Sequence, residues 1–356
     1  MKIFLMCWLL AGVFYPVYSQ QKIYVTVKPA KILVEAGEHK QIVNADFLVT
    51  NSVADTFTLT KITLDVFDQY NNLVHSRFLD NNGTAPSIHA IPSRELNGSV
   101  SRLFFTPFTE FSSSLPLHKL DFTWTFEDNR RKEITITSVV YPERYKQSVT
   151  FLFPLKGRML VYDAHDVASH HRRFDYEFAP IKGLGFKSNF MRYAYDFVML
   201  DSGRQFRTDG KKNEDYFGWA KPVYAVGAGK VIAAIGIQKD DHQFDIPSLA
   251  NNPMALYGNY IAIGHVDGSV SVYAHLMQNS LKVKTGDSIS PGQEIGAIGA
   301  SGSSFFPHLH FEVRTDLTHQ AEGLPSYFSN VQLVEGTKKI NLPTGLVETG
   351  NIIEAR

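Results

Sequence analysis

The chain has 356 residues, 35 Lys and Arg against 35 Asp and Glu, and a formal net charge of zero. That balance gives no electrostatic footprint for nucleic acid or for an anionic membrane surface, so neither is expected as a partner. Cysteine occurs once, at Cys7, so disulfide scaffolds and Cys-ligated metals are excluded from the rest of the chain.

Lys2 followed by the apolar run Ile3 to Val17 reads as a secretory signal peptide over residues 1–19. The run is short for a membrane span, and Val17 and Ser19 are small enough for a cleavage site. The expected product is an exported protein, secreted or periplasmic, starting near Gln20, without Cys7 and without integral membrane association.

Residues 20–145 alternate short β-branched or apolar stretches (Ile23 to Val27, Phe47 to Thr50, Ile62 to Phe67, Ile134 to Val140) with turn clusters such as Asp80-Asn-Asn-Gly83. No helical period is sustained, and an immunoglobulin-like antiparallel β-sandwich is expected. A junction follows around Tyr141 to Leu155, marked by Pro142 and Pro154. Residues 146–325 then carry glycine-punctuated strand patterns, for example Val223 to Ile232, Tyr257 to Ile263 and Val270 to Leu276, which point to a second, compact antiparallel β domain. Residues 326–356 form a tail able to add one or two strands before fraying. The fold class is mainly β.

The chemistry concentrates in that second domain. In His308-Leu-His-Phe-Glu-Val313 a strand puts His308, His310 and Glu312 on one face and Leu309, Phe311 and Val313 on the other. Two imidazoles over one surface, backed by an apolar anchor, suit a metal or proton-transfer site, although the same pattern occurs on solvated strand faces. His275 ends another strand run, Ser271 to Leu276. In Arg192-Tyr-Ala-Tyr-Asp-Phe197 an extended chain presents Arg192, Ala194 and Asp196 together. Phe305 and Phe306, just before Pro307, are candidates for the rim of a substrate groove.

Together with Gly229-Lys-Val231, Gly258-Asn-Tyr-Ile261, Tyr273-Ala-His-Leu276, Gly292-Gln-Glu-Ile-Gly296, Gly299-Ala-Ser-Gly302 and Pro307-His-Leu-His-Phe-Glu312, these segments resemble the lysostaphin-like zinc metallopeptidases of the peptidoglycan endopeptidase type. The resemblance implies a secreted metalloendopeptidase cutting peptide cross-links of peptidoglycan, or another extracellular peptide. It implies one zinc ion held by a histidine, by Asp196 four residues later and by His310, with His275 and His308 as the catalytic histidines.

At the position of the first ligand this chain has Arg192, whose guanidinium has no lone pair for a metal. Two outcomes follow. Arg192 can pair with Asp196 and leave a metal-free module that binds cell wall or activates a separate hydrolase. Alternatively, another residue completes the site, and the donor-rich stretch Asp163-Ala-His-Asp166 and Ser169-His-His-Arg172 lies just upstream. His171 is the first choice for the third ligand, with His165 and His170 next.

Overall fold

The computed structural model describes residues 21–356; the expected signal peptide and Cys7 lie outside them. The chain is nearly all β, as its composition and periodicity indicate. Among the described residues no helix is long and apolar enough to cross a membrane.

The strands before residue 145 fall in three sheets. In one, Asp46–Asn51 lies between Ile23–Lys28 and Ser101–Phe105. In the second, the long strand Phe57–Phe67 pairs with Lys119–Asp128 and Leu73–Leu79, and Glu133–Val140 extends the far side. Lys119–Asp128 shows why the chain folds this way: Leu120, Phe122, Trp124 and Phe126 are buried while the residues between them are half-exposed. A period of two puts four large apolar side chains on one face, and burying each contributes about 1.5–3 kcal/mol. That face meets Phe47, whose ring centroid is 4.7 Å from that of Trp124. The third sheet joins Leu33–Ala36, Lys40–Val43 and Glu110–Ser112, with Glu143–Arg144 added in parallel.

The second half is built on one 11-stranded sheet. Its central strands run in the order Tyr260–Gly264, Val270–Ala274, Leu309–Arg314, Tyr195–Met199, Gly157–Asp163, all antiparallel. One face carries Val161, Tyr195, Phe197, Tyr273, Leu309 and Phe311 into a continuous apolar core. The other face carries the polar residues of interest. Register aligns them: Ala274 lies opposite His310, His310 opposite Asp196, and Asp196 opposite Asp163. The last alignment depends on a bulge at Tyr162, which shifts the register so that Asp163 meets Asp196.

Residues 326–356 do not fray. Val331–Glu335, Lys338–Asn341 and Ile352–Ala355 are strands of the same sheet, and Ile352–Ala355 pairs directly with Gly157–Asp163. Ile353 and Ala355 are buried in the core, which is what holds the segment down.

Candidate metal and catalytic centre

His308, His310, Asp196, His275 and His171 converge on one cavity of about 510 Å³. Asp196 is at its floor, buried, with each oxygen facing an imidazole. Its Oδ1 accepts from His310 Nδ1 at 3.1 Å, and its Oδ2 faces His171 Nε2 at 3.7 Å. The rings of His171 and His310 stand edge to face with centroids 4.7 Å apart. Burial would raise the Asp196 carboxyl, but His171 and His308 hold it well below the usual carboxylate range.

His171 reaches this point from a loop, not from a strand. Residues 164–173 follow the Tyr162 bulge, and Asp163 anchors the return by accepting from the His170 backbone N–H at 3.1 Å. Asp163 Oδ2 also sits 3.4 Å from His171 Nδ1 and binds the His170 ring. Burial pushes the His171 imidazole down to about 4, so the ring is neutral near pH 7 with a lone pair to offer. His171 Nδ1 is buried without a hydrogen-bond partner, and Asp163 Oδ2, engaged by His170, is the carboxylate oxygen beside it.

Arg192 does not occupy the site. Residues 190–193 form a turn, closed by backbone bonds from Arg192 to Asn189 and from Ala194 to Met191, and the strand starts only at Tyr195. The extended geometry expected for Arg192 to Ala194 is therefore replaced by a turn, and Arg192 no longer shares a face with Asp196. Its Nη1 donates to Asp46 Oδ2 at 2.5 Å, in the first half of the chain. Among the described residues the Arg192–Asp196 pair, one of the two expected outcomes, does not form.

The other two upstream histidines differ from His171. His165 is buried and donates from Nδ1 to Glu35 Oε2 at 2.7 Å, away from the cavity. His170 lines the cavity but is exposed, its ring occupied by Asp163. Asp163, His170, His171 and Asp196 nonetheless offer ligand atoms that all lie within 4.8 Å of one another.

This donor set fits a zinc-type cation. Imidazole and carboxylate are borderline-to-hard donors that Zn²⁺ accepts in three-ligand sites with one open position; against burial, Asp196 and Glu312 raise the His310 ring to about 9, so a metal there displaces its proton. Ligand atoms at bonding distance in a tetrahedral site lie about 3.3 Å apart, and the spacings around Asp196, 3.1 and 3.7 Å, bracket that figure. His310 Nε2 is buried without a hydrogen-bond partner and lies 3.6 Å from Glu312 Oε2. Glu312 is itself fixed by the Tyr257 hydroxyl, which donates to its Oε1 at 2.6 Å.

Across the cavity, His275 lies just past its strand with φ +60°, a left-handed conformation a histidine tolerates at a cost. Its Nδ1 donates to the Ser301 carbonyl at 2.9 Å, leaving Nε2 unprotonated in the neutral ring. Burial and then the neighbouring His308 and His310 hold its pKa well below the ordinary value. Ser301 is brought there by a close approach of Gly258 and Gly302: a Cβ on Gly302 would stand 2.4 Å from the Gly258 nitrogen. His308 donates from Nδ1 to the Phe306 carbonyl at 2.8 Å, with its ring centroid 5.0 Å from that of His275. Phe305 and Phe306 both line the cavity mouth. Phe306 packs on Tyr162 and Tyr216, whereas Phe305 is 90% exposed. Three contributors that the sequence pattern did not single out are Tyr162, Tyr257 and Ser301; only the glycine pair around Ser301 carried a signal.

Residues 215–322 match the family model described as Peptidase family M23. The chain is 40% identical over 65 residues to cell division protein DipM of Caulobacter vibrioides, covering 18% of this chain and 10% of that protein. It is 37% identical over 92 residues to peptidoglycan DD-endopeptidase ShyB of Vibrio cholerae, covering 26% of this chain and 17% of that protein. It is 30% identical over 94 residues to lipoprotein NlpD of Yersinia enterocolitica, covering 26% of this chain and 77% of that protein. The chain thus spans a small part of the first two relatives and most of the third. The matched stretch carries His310 on a strand, with His275 just past one and His308 just before another, and by that match the chain belongs to peptidase family M23.

Proposed function

We propose that the chain is an exported zinc metalloendopeptidase that hydrolyses peptide bonds in peptidoglycan cross-links, with His171, Asp196 and His310 as zinc ligands and His275 and His308 as the catalytic histidines. The observation that carries this reading is Asp196 set between His171 Nε2 and His310 Nδ1, which supplies the ligand that Arg192 cannot. When bound there, zinc polarises the scissile carbonyl and acidifies a water molecule.

The protein's own groups do the rest. His275, with Nδ1–H committed to Ser301, offers the Nε2 lone pair to take a proton from the attacking water. His308, when protonated at both nitrogens, keeps Nδ1–H on Phe306 and turns Nε2–H toward the cavity, where it can bind the oxyanion and pass a proton to the leaving amine. Asp196 Oδ1 lies 3.4 Å from His308 Nε2 on the same side of the cavity. Phe305 and Phe306 supply an apolar rim for the peptide.

Peptidoglycan as substrate rests on the peptidoglycan endopeptidases among the relatives and on family membership. The test is zinc content of the purified protein together with release of amines from purified cell walls, with and without a chelator. Stoichiometric zinc and chelator-sensitive release are expected. Zinc-free protein without chelator-sensitive activity would overturn the proposal in favour of a metal-free cell-wall binding module.

A further inference from the structure

The loop that carries His171 is fastened to the first half of the chain on both sides. Before His171, Glu35 Oε2 accepts from His165 Nδ1 at 2.7 Å, and Asn44 Nδ2 donates to the His165 carbonyl at 3.2 Å. After it, Arg172 spreads its guanidinium over three consecutive residues: Nε to Asn44 Oδ1 at 2.8 Å, Nη2 to the Ala45 carbonyl at 3.0 Å and Nη1 to Asp46 Oδ1 at 2.6 Å. The other oxygen of Asp46 takes Arg192 Nη1. Glu35, Asn44, Asp46, Arg172 and Arg192 are all fully buried.

One carboxylate therefore ties together two arginines of different meaning. Arg172 is the immediate neighbour of His171. Arg192 stands four residues before Asp196, where a ligand histidine would be expected. Asn189 adds a cross-tie, its Nδ2 donating to the carbonyls of both His171 and Arg172. A guanidinium in a dry interior keeps its charge only with a partner, so each arginine is held where Asp46 is. The residue that cannot bind metal is thus drawn away from Asp196, and the loop that replaces it is drawn in, by the same anchor.

We propose that Asp46 is a positioning residue for the metal site: by bridging Arg192 and Arg172 it fixes His171 opposite Asp196, so that the sheets before residue 145 form a structural half of the site. This rests on the reading of His171, Asp196 and His310 as ligands. Asp46 itself touches neither metal nor substrate.

The experiment measures zinc affinity by competition with a chromophoric chelator, and the visible spectrum of the cobalt(II)-loaded protein, on the full chain. Asp46→Asn is expected to weaken zinc binding about 10–100-fold, the usual loss when a group orienting a ligand is removed, and to change the position and intensity of the cobalt bands. Near-UV circular dichroism reports whether its fold is retained. Asn44→Ala removes the bonds to Arg172 Nε and to the His165 carbonyl, one on each side of His171, without leaving a buried charge unpaired, and is expected to weaken zinc binding by a smaller factor in the same direction. Glu38→Gln, at the exposed contact with Thr344, is the control and leaves both readouts unchanged.

If Asp46→Asn does not fold, Asn44→Ala decides. Wild-type affinity and cobalt spectrum in the folded variants overturn the bracing role while leaving the ligand assignment standing, provided wild type binds zinc and His171→Ala does not. Failure of wild type itself to take up zinc overturns the ligand assignment, and the bracing role with it.

Discussion

His171 Nε2 and Asp196 Oδ2 face one another across 3.7 Å, one from a loop and the other from a central strand. The neutral ring and the ionised carboxylate leave two lone pairs converging on one point beside His310. Removing the imidazole leaves two ligands, too few for a three-residue zinc site. His171→Ala is expected to abolish zinc binding, with far-UV circular dichroism unchanged. Metal analysis of the dialysed variant checks this, and full zinc occupancy would move the third ligand to His170 or Asp163.

His308 and His275 should behave differently from His171. In the proposed assignment neither holds the metal, so His308→Ala and His275→Ala are expected to keep zinc while lowering kcat by about 10²–10⁴-fold, the usual range for a lost proton-transfer group. Turnover on a cross-linked peptide, measured alongside zinc content, separates the roles. A variant that loses zinc as well as turnover is a ligand, and one with only a raised KM belongs to substrate binding.

Phe305 and Phe306 are adjacent yet held differently. Phe305 is 90% exposed, and little stability depends on it. Phe306 stacks on Tyr216 with an interplanar angle of 13° and packs edge-on against Tyr162. Phe305→Ala is expected to raise KM several-fold with no change in Tm. Phe306→Ala should also raise KM but cost about 1 kcal/mol of stability. Equal Tm losses in the two variants would refute the distinction.

Glu322 gives a pH-dependent stability. Its Oε2 is buried without a hydrogen bond, and burial, partly offset by Arg192, pushes the carboxyl from 4.5 up to about 7. The folded state therefore prefers the protonated acid. The stability associated with it is complete below about pH 4.5 and is lost as the pH rises through 7. Glu322→Gln is expected to be more stable than wild type by about 2–3 kcal/mol at pH 8, with the difference vanishing near pH 4.5. Denaturant midpoints at the two pH values test this, and a gain independent of pH would contradict it.

Periodicity carried much of the architecture. Leu309, Phe311 and Val313 enter the core and leave His310 and Glu312 on the other face because a strand paired on both sides has no other choice. The same argument misled at Arg192, since nothing in Asn189 to Ala194 announces a turn as Gly or Pro would. Asp163 was visible only as one of several polar residues, because its alignment with Asp196 depends on a one-residue bulge that no local pattern encodes. Asp46 was invisible altogether. It opens an ordinary strand, and its partners lie 126 and 146 residues away. Long-range ion pairs of this kind leave no periodic trace.

The strand Gly157–Asp163 brings Asp163 to the centre, and on its outer side it is covered by Ile352–Ala355. In a chain made from its first residue onward, that edge stays bare until residues 352–355 have been synthesised. Every other group of the centre is made before then, so until the closing strand arrives the strand beneath the His171 loop is held on one side only, by Tyr195–Met199.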